Sequence, residues 1–327
     1  MSGHIAKPSQ ERLDIFRGRN ILDIVSLSRD EIEIIMETAA YYDHALSDHQ
    51  RLYDMDGRIM ASLFFEPSTR TRLSFESAME RLGGKVISVS ETLDFQISSA
   101  AKGESLSDAI RVINHYCDVI VCRSPFTSAR EEIASIASVP YINAGNGSGE
   151  HPTQALLDIY TIFKEKGGVD GLTYAICGDL KYGRAAHSFL DALSKFSPRK
   201  IILASPDELR MPEDYLTKIK AVPGVEVEEC RDLDHAVCKA DVLYMTRVQR
   251  ERFDSQEEYD RNKDLFILSG DHLDSFPKGA VILHPLPRVN EITLEVDSYP
   301  GAAYFRQAGN GVPVRMAVLS LVTGSVR

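Results

Sequence analysis

The sequence predicts an α/β protein made of two doubly wound parallel-sheet domains, with ligands expected in the cleft between them. Three observations carry this expectation. Apolar runs of strand length alternate with helical patterns along most of the chain, which is how parallel sheets covered on both faces read. The alternation comes in two series, separated by an amphipathic segment that starts at His151. Finally, 327 residues exceed the roughly 250–300 at which a single core stops growing.

The elements follow in order. An amphipathic pattern at 29–45 predicts a leading helix. Strands are expected at 59–65, 85–90, 118–123 and 140–144, with helices at 71–82, 105–117 and 128–138 between them. Ser105 with Asp108 suits the orphan N–H groups of a first helical turn. The segment HPTQALLDIYTIFKEKGG places Ala155, Ile159 and Ile162 on one face and ends at a glycine pair. A second series of strands is expected at 173–177, 200–204, 225–229, 241–245 and 281–284. Its helices should span 184–196, 213–220 and 233–239, and a closing helix 314–322. No short repeat, low-complexity tract or flexible linker interrupts the pattern.

Composition excludes several classes. The formal charge of −11, from 37 basic and 48 acidic residues, lacks the basic face that nucleic acid requires. An anionic ligand would need local clusters of cations acting against the overall field. No apolar run approaches a membrane span, and MSGHIAKPSQ does not read as a signal peptide, so a cytoplasmic chain is expected. The five cysteines are odd in number and lack C-x-x-C spacing. Cys230 and Cys238 bracket His235, but small thiols in a reducing compartment explain them better than metal. No metal and no cofactor are expected.

In open α/β sheets, ligands bind outside the carboxyl ends of the strands. Six such ends here carry an arginine, lysine or histidine: FFEPSTRTR, Arg123 after DVIVC, NAGNGSGEHPTQ, GDLKYGR, YMTRVQRER and HPLPR. Any one has an ordinary explanation; Arg72 reads as an exposed helix charge and His187 as packing. Six together on an acidic chain predict a site for anions. The richest stretch, Ser68-Thr69-Arg70-Thr71-Arg72, opens a helix, where free N–H groups and the dipole attract an anion. Hydroxyls add short hydrogen bonds there, and a guanidinium offers paired donors matched to phosphate oxygens. GDLKYG lacks the G-x-G-x-x-G spacing of a dinucleotide site.

Ser68-Thr69-Arg70-Thr71-Arg72 followed by His151-Pro152-Thr153-Gln154 resembles the carbamoyltransferase family. Gly178–Arg184 (GDLKYGR), Tyr244–Gln249 (YMTRVQ) and His284–Arg288 (HPLPR) resemble the catalytic chains of its aspartate carbamoyltransferase branch. The likeness runs from about residue 20 to the end, including QAGNG at 307–311. Residues 1–19 carry no motif and read as an N-terminal extension.

The resemblance implies transfer of a carbamoyl group from carbamoyl phosphate to L-aspartate, with the active site in the cleft between the domains. Ser68, Thr69, Arg70 and Thr71 would bind phosphate. Arg123 and His151 would join Thr71 in polarising the carbonyl, and Gln154 with Pro285, Leu286 and Pro287 would hold the carbamoyl amide. Arg184 and Arg247 would grip the two carboxylates of aspartate, assisted by Gln249. Ser98 and Lys102 would reach in from a neighbouring subunit, which implies a homotrimer with shared sites. Separate regulatory chains are a further possible partner. The Lys102 loop departs from the commonest pattern in carrying Ala101 where a second lysine often sits.

Domain limits follow from the same reading: 1–151 completed by 308–327 for carbamoyl phosphate, and 152–307 for aspartate, with hinge closure over substrates. Two alternatives remain open. Ornithine carbamoyltransferases share the phosphate motif but usually carry a cysteine after the histidine that here precedes Pro285-Leu286-Pro287. A non-catalytic anion-binding module would lack some transition-state groups, whereas Thr71, Arg123, His151 and Gln154 are all present.

Overall fold

The computed structural model describes residues 8–90, 105–147, 149–250, 253 and 255–326. The chain divides into two compact units: one runs to Leu156 and resumes at Asn310, the other is Leu157–Gly309.

In the first unit a short helix, α1 (Gln10–Asp14), precedes α2 (Arg29–Ser47). α2 starts at a full capping box, in which Ser28 accepts from the Glu31 N–H and the Glu31 carboxylate accepts from the Ser28 N–H. Then β1 (Ile59–Phe64), α3 (Thr69–Arg81), β2 (Lys85–Ser90), α4 (Leu106–Ile113), β3 (Val119–Ser124), α5 (Ala129–Ile136) and β4 (Tyr141–Asn146) alternate as expected. The four strands pair in parallel in the order β2-β1-β3-β4. The chain therefore reverses its direction of winding between β1 and β3, where an open α/β sheet leaves a crevice for ligand. The register sets Phe64 opposite Arg123, so the end of β1 and the Arg123 side of β3 leave the sheet together. Beneath them Ala61, Leu63, Ile110, Ile120, Cys122 and Ile133 form a buried core.

α6 (Pro152–Lys166) follows β4. In the second unit β5 (Thr173–Cys177), α7 (Arg184–Leu193), β6 (Lys200–Ala204), α8 (Glu213–Lys220), β7 (Glu226–Cys230), α9 (Leu233–Val237), β8 (Val242–Met245), α10 (Gln256–Asn262) and β9 (Val281–Leu283) build a second parallel sheet. Its order is β7-β6-β5-β8-β9, with the reversal between β5 and β8. Tyr244 on β8 stacks on Phe189 of α7 with ring centroids 4.5 Å apart. Ala175, Ile202, Leu243, Ile282 and Val296 are among the side chains that fill the other face.

The clearest differences from the sequence reading are in α11, α10 and α4, and α1 lies in the stretch read there as a motif-free extension. The last helix, α11 (Tyr304–Val322), begins ten residues earlier than expected and carries Pro313 inside it. Gly309, Gly311 and Pro313 are weak helix formers, yet Gln307, Val314 and Met316 on the same helix are buried, and packing overrides propensity. α10 was not foreseen, because QEEYDRN has no apolar stripe. α4 stops at Ile113, four residues short of the expected end, although Ser105 caps it by accepting from the Asp108 N–H.

Candidate active site

The start of α3 differs from those of α2 and α4. Ser28 and Ser105 cap α2 and α4 with their side chains. Ser68 occupies the same position before α3 but gives no side-chain cap, and the first turn holds no acidic residue. The positive end of α3 is thus not compensated by its own sequence, which suits an external anion. Arg70 and Thr71 lie in that turn. Arg72 points elsewhere, to Glu76 at 3.8 Å, in line with its reading as a helix charge.

Arg123 and His151 flank one glycine, and Thr71 approaches His151. The Thr71 hydroxyl oxygen lies 3.5 Å from His151 Nε2. Gly145 has φ +113, and a Cβ there would lie 3.0 Å from Arg123 Nη1 and 3.5 Å from His151 Cδ2. Only glycine adopts that backbone readily, and its missing side chain leaves room for both groups. Arg123 is 6% exposed; its Nη2 pairs with Glu66 Oε1 at 3.1 Å, and Nη1 lies 3.5 Å from the Ala144 carbonyl. His151 immediately precedes α6, and its carbonyl accepts from the N–H groups of Gln154 and Ala155. Gln154 sits in the same first turn of α6.

The second unit repeats the logic at its own reversal point. Gly178 ends β5 with φ +109, and a Cβ there would lie 2.3 Å from the Thr246 carbonyl oxygen. The loops after β5 and β8 can therefore touch. Asp179, fully buried, accepts from the Tyr182 N–H at 2.9 Å and the Gln249 N–H at 3.4 Å. Gln249 Nε2 returns a bond to the Tyr182 carbonyl at 3.1 Å. Burial raises the Asp179 pKa above the usual carboxylate range, opposed by those N–H groups and by the charge of Arg247. Arg184 opens α7, whose first turn has neither a side-chain cap nor an acid. Stitching of the two loops holds the segments bearing Arg184, Arg247 and Gln249 side by side.

The β9 end adds Pro285, Leu286 and Pro287, with a cis peptide between Leu286 and Pro287 and φ +55 at Leu286. Ser98 and Lys102 lie outside the described residues.

Residues 19–164 match the family model described as aspartate/ornithine carbamoyltransferase, carbamoyl-P binding domain, and residues 170–322 match the Asp/Orn binding domain model. The chain belongs to the aspartate/ornithine carbamoyltransferase family. It is 48% identical over 311 residues to the aspartate carbamoyltransferase catalytic subunit of Methanosarcina barkeri, covering 95% of this chain and 99% of that one. The solved catalytic subunit of M. jannaschii aspartate transcarbamoylase is 45% identical with a TM-score of 0.85, covering 92% of this chain and 97% of that one. Aspartate transcarbamoylase of Trypanosoma cruzi in complex with N-(phosphonacetyl)-L-aspartic acid is 40% identical with a TM-score of 0.89, covering 96% and 99%.

Several buried or paired groups near the candidate residues escaped the sequence reading. Glu66, within the quoted FFEPSTRTR stretch, pairs with Arg123. Arg315 on α11 is buried, donates to the Thr153 hydroxyl at 3.3 Å and lies over the Phe75 ring at 5.0 Å. It thereby ties the first turn of α6 to α3. A fully buried carboxylate, Asp158, accepts from Tyr244 at 2.9 Å and from Gln307 at 2.6 Å. Glu66 lay within a quoted motif and Gln307 within QAGNG, but neither Arg315 nor Asp158 carried a motif signal. His187 stacks on Tyr215 at 4.3 Å, the packing role expected of it. His235 contacts Glu228 and Lys239. Among the described residues, no group of three or more His, Cys, Asp or Glu is placed to hold a metal ion.

Proposed function

We infer that this chain transfers the carbamoyl group of carbamoyl phosphate to the amine of L-aspartate, giving N-carbamoyl-L-aspartate and phosphate, the committed step of pyrimidine synthesis. The observation that carries the reading is that Arg123 and His151 flank Gly145 while Thr71, in a helix start without its own cap, approaches His151.

The roles follow from charge flow. Ser68, Thr69, Arg70 and Thr71 bind the phosphate at the α3 start. Thr71, Arg123 and His151 donate to the carbonyl oxygen, where negative charge develops as the amine attacks. One well-placed donor of this kind is worth roughly 3–4 kcal/mol. Gln154 and the carbonyl groups of Pro285, Leu286 and Pro287 hold the carbamoyl amide. Arg184 and Arg247 fix the two carboxylates of aspartate, with Gln249 assisting. The C–N bond forms, the C–O bond to phosphorus breaks, and the departing phosphate takes the proton released by the amine. Holding both anions in line supplies roughly 7–11 kcal/mol when the geometry is right.

The active unit in this reading is a homotrimer in which Lys102 and Ser98 complete a neighbour's site, with separate regulatory chains as further partners in the cytoplasm. No helix among the described residues is long and apolar enough to cross a membrane. The test is a carbamoylation assay on the purified chain offered aspartate or ornithine, with the mass of the assembly measured alongside. Turnover with aspartate alone is expected; preference for ornithine overturns the assignment.

A further inference from the structure

A buried carboxylate sits inside the loop that follows β9. Glu291 is 2% exposed and accepts from the N–H groups of Val289, at 3.1 and 3.2 Å, and Asn290, at 3.2 Å, on the returning arm of the loop. Its Oε1 lies 2.7 Å from Nε2 of His284, itself 1% exposed, on the outgoing arm. The other nitrogen of that ring, Nδ1, accepts the Leu286 N–H at 2.8 Å. An accepting Nδ1 carries no proton, so the ring proton is on Nε2, close to the Glu291 carboxylate but not in line for a hydrogen bond to it.

Charge agrees with this tautomer. Burial lowers the His284 pKa, and the charges of Arg247 and Arg288 act the same way against the pull of Glu291. Burial alone would raise Glu291, yet the adjoining His284 ring and the bond from the Val289 N–H hold it below the usual carboxylate range. The pair is a neutral imidazole on a carboxylate. The root of the loop is fixed as well: the His284 N–H donates to Gln307 Oε1 at 2.8 Å, and Gln307 is held by Asp158.

Leu286 is one of two non-glycine residues with positive φ among those described. An L side chain adopts that conformation at a cost, and it persists where surroundings over-determine it. Here the determining contact is the bond from its own N–H to His284.

We propose that Glu291 and His284 are positioning residues, which set the carbonyl groups of Pro285, Leu286 and Pro287 against the amide of the carbamoyl substrate. Neither side chain touches substrate; both act through the Leu286 backbone. The proposal rests on the reading of that loop as the acceptor of the carbamoyl amide. A misplacement of about 1 Å in such a contact costs on the order of 100-fold in rate.

The experiment uses full-length His284→Ala, His284→Asn, His284→Gln and Glu291→Gln. Asparagine places an amide oxygen where Nδ1 was and keeps the Leu286 bond. Glutamine reaches toward Glu291 but gives that bond up. Expected is a loss of kcat of about 100-fold in His284→Ala and His284→Gln, recovered to within about tenfold in His284→Asn, with KM for aspartate nearly constant. Because His284→Asn must outperform His284→Gln, the comparison survives if the alanine variant does not fold. Equal activity of the asparagine and glutamine variants, or a rise in aspartate KM at unchanged kcat, overturns the proposal.

Titration with acetyl phosphate, whose methyl group cannot donate, separates the proposal from the reading beneath it. Wild type should bind carbamoyl phosphate at least about tenfold more tightly than acetyl phosphate, and His284→Gln should lose most of that preference. If wild type shows no preference, the loop is not the amide acceptor. If both proteins keep the preference, the loop accepts the amide and His284 does not position it.

Discussion

Gly178 and Thr246 approach so closely that a Cβ on the glycine would lie 2.3 Å from the threonine carbonyl oxygen and 2.8 Å from its hydroxyl. The approach joins the loops that follow β5 and β8, and those loops carry Arg184 and Arg247. With φ +109, Gly178 also occupies a conformation that L side chains rarely adopt. Gly178→Ala should therefore cost about 1–3 kcal/mol of stability and raise the KM for aspartate. Binding of carbamoyl phosphate should change little. Thermal unfolding and steady-state kinetics on the one variant check both halves, and an unchanged aspartate KM would show that this contact does not set the arginine loops.

Arg247 sits between two features of the second unit, since its charge opposes both the burial-raised pKa of Asp179 and the protonation of His284. In the proposed site it grips a carboxylate of aspartate. Arg247→Ala should weaken aspartate binding by about 100-fold, the scale of a half-buried charge pair losing one partner. Affinity for carbamoyl phosphate should stay within about threefold. Equal loss of both ligands would remove Arg247 from the aspartate set.

His151 stands where the α6 dipole disfavours a protonated ring, with Nε2 beside the Thr71 hydroxyl. In the proposed site His151 donates to the substrate carbonyl, and such a donor acts on the transition state more than on binding. His151→Ala should lower kcat by about 100-fold to 1,000-fold with a small change in KM. A raised KM at unchanged kcat would reassign the residue to binding.

His284, buried, and His187, half-buried, contribute to how stability depends on pH, while the raised carboxyls of Asp179 and Asp191 act in the opposite sense. Burial is the main cause that lowers His187 and His284 below their ordinary value of 6.5. Below that pH the unfolded chain takes up protons that the folded chain refuses, so the histidines' contribution is full above 6.5 and falls as pH drops through it. Glu291, lowered from 4.5, adds a loss of the same sign further down. The denaturant midpoint at about pH 5.5 should lie below that at about pH 7.5, and the gap should narrow in His187→Gln. A midpoint that is flat or rises on acidification contradicts this account.

How much of this was legible in the sequence depends on how local the cause is. Buried parallel strands are near-continuous apolar runs, so Ile59–Phe64 and Val119–Ser124 stand out in the sequence. Arg123, Arg184 and Arg247 were legible because each follows such a run. Asp158 was not, since what makes it a buried anchor is Gln307, 149 positions away. Glu66, Glu291 and Arg315 read as ordinary surface charges for the same reason. α11 was read short because Gly309 and Pro313 argue locally against a helix that packing at long range stabilises.

The last prediction concerns assembly. Lys102 lies on a polar stretch of sequence between β2 and α4, and the proposed assembly gives that segment to a neighbouring chain, where its ammonium would offset charge on phosphate and aspartate together. A head-to-tail contact that closes by rotation makes a ring, and each site in the ring then contains one borrowed loop. Chains carrying Lys102→Ala and chains carrying Arg70→Ala should each be nearly inactive alone. After dissociation and joint reassembly, some interfaces pair an intact Arg70 with an intact Lys102, and activity should return. In a random equal mixture of trimers about one site in four has both residues intact, so recovery should approach one quarter of wild type. Activity that stays absent despite proven hybrids would mean that Lys102 serves its own chain or no site at all.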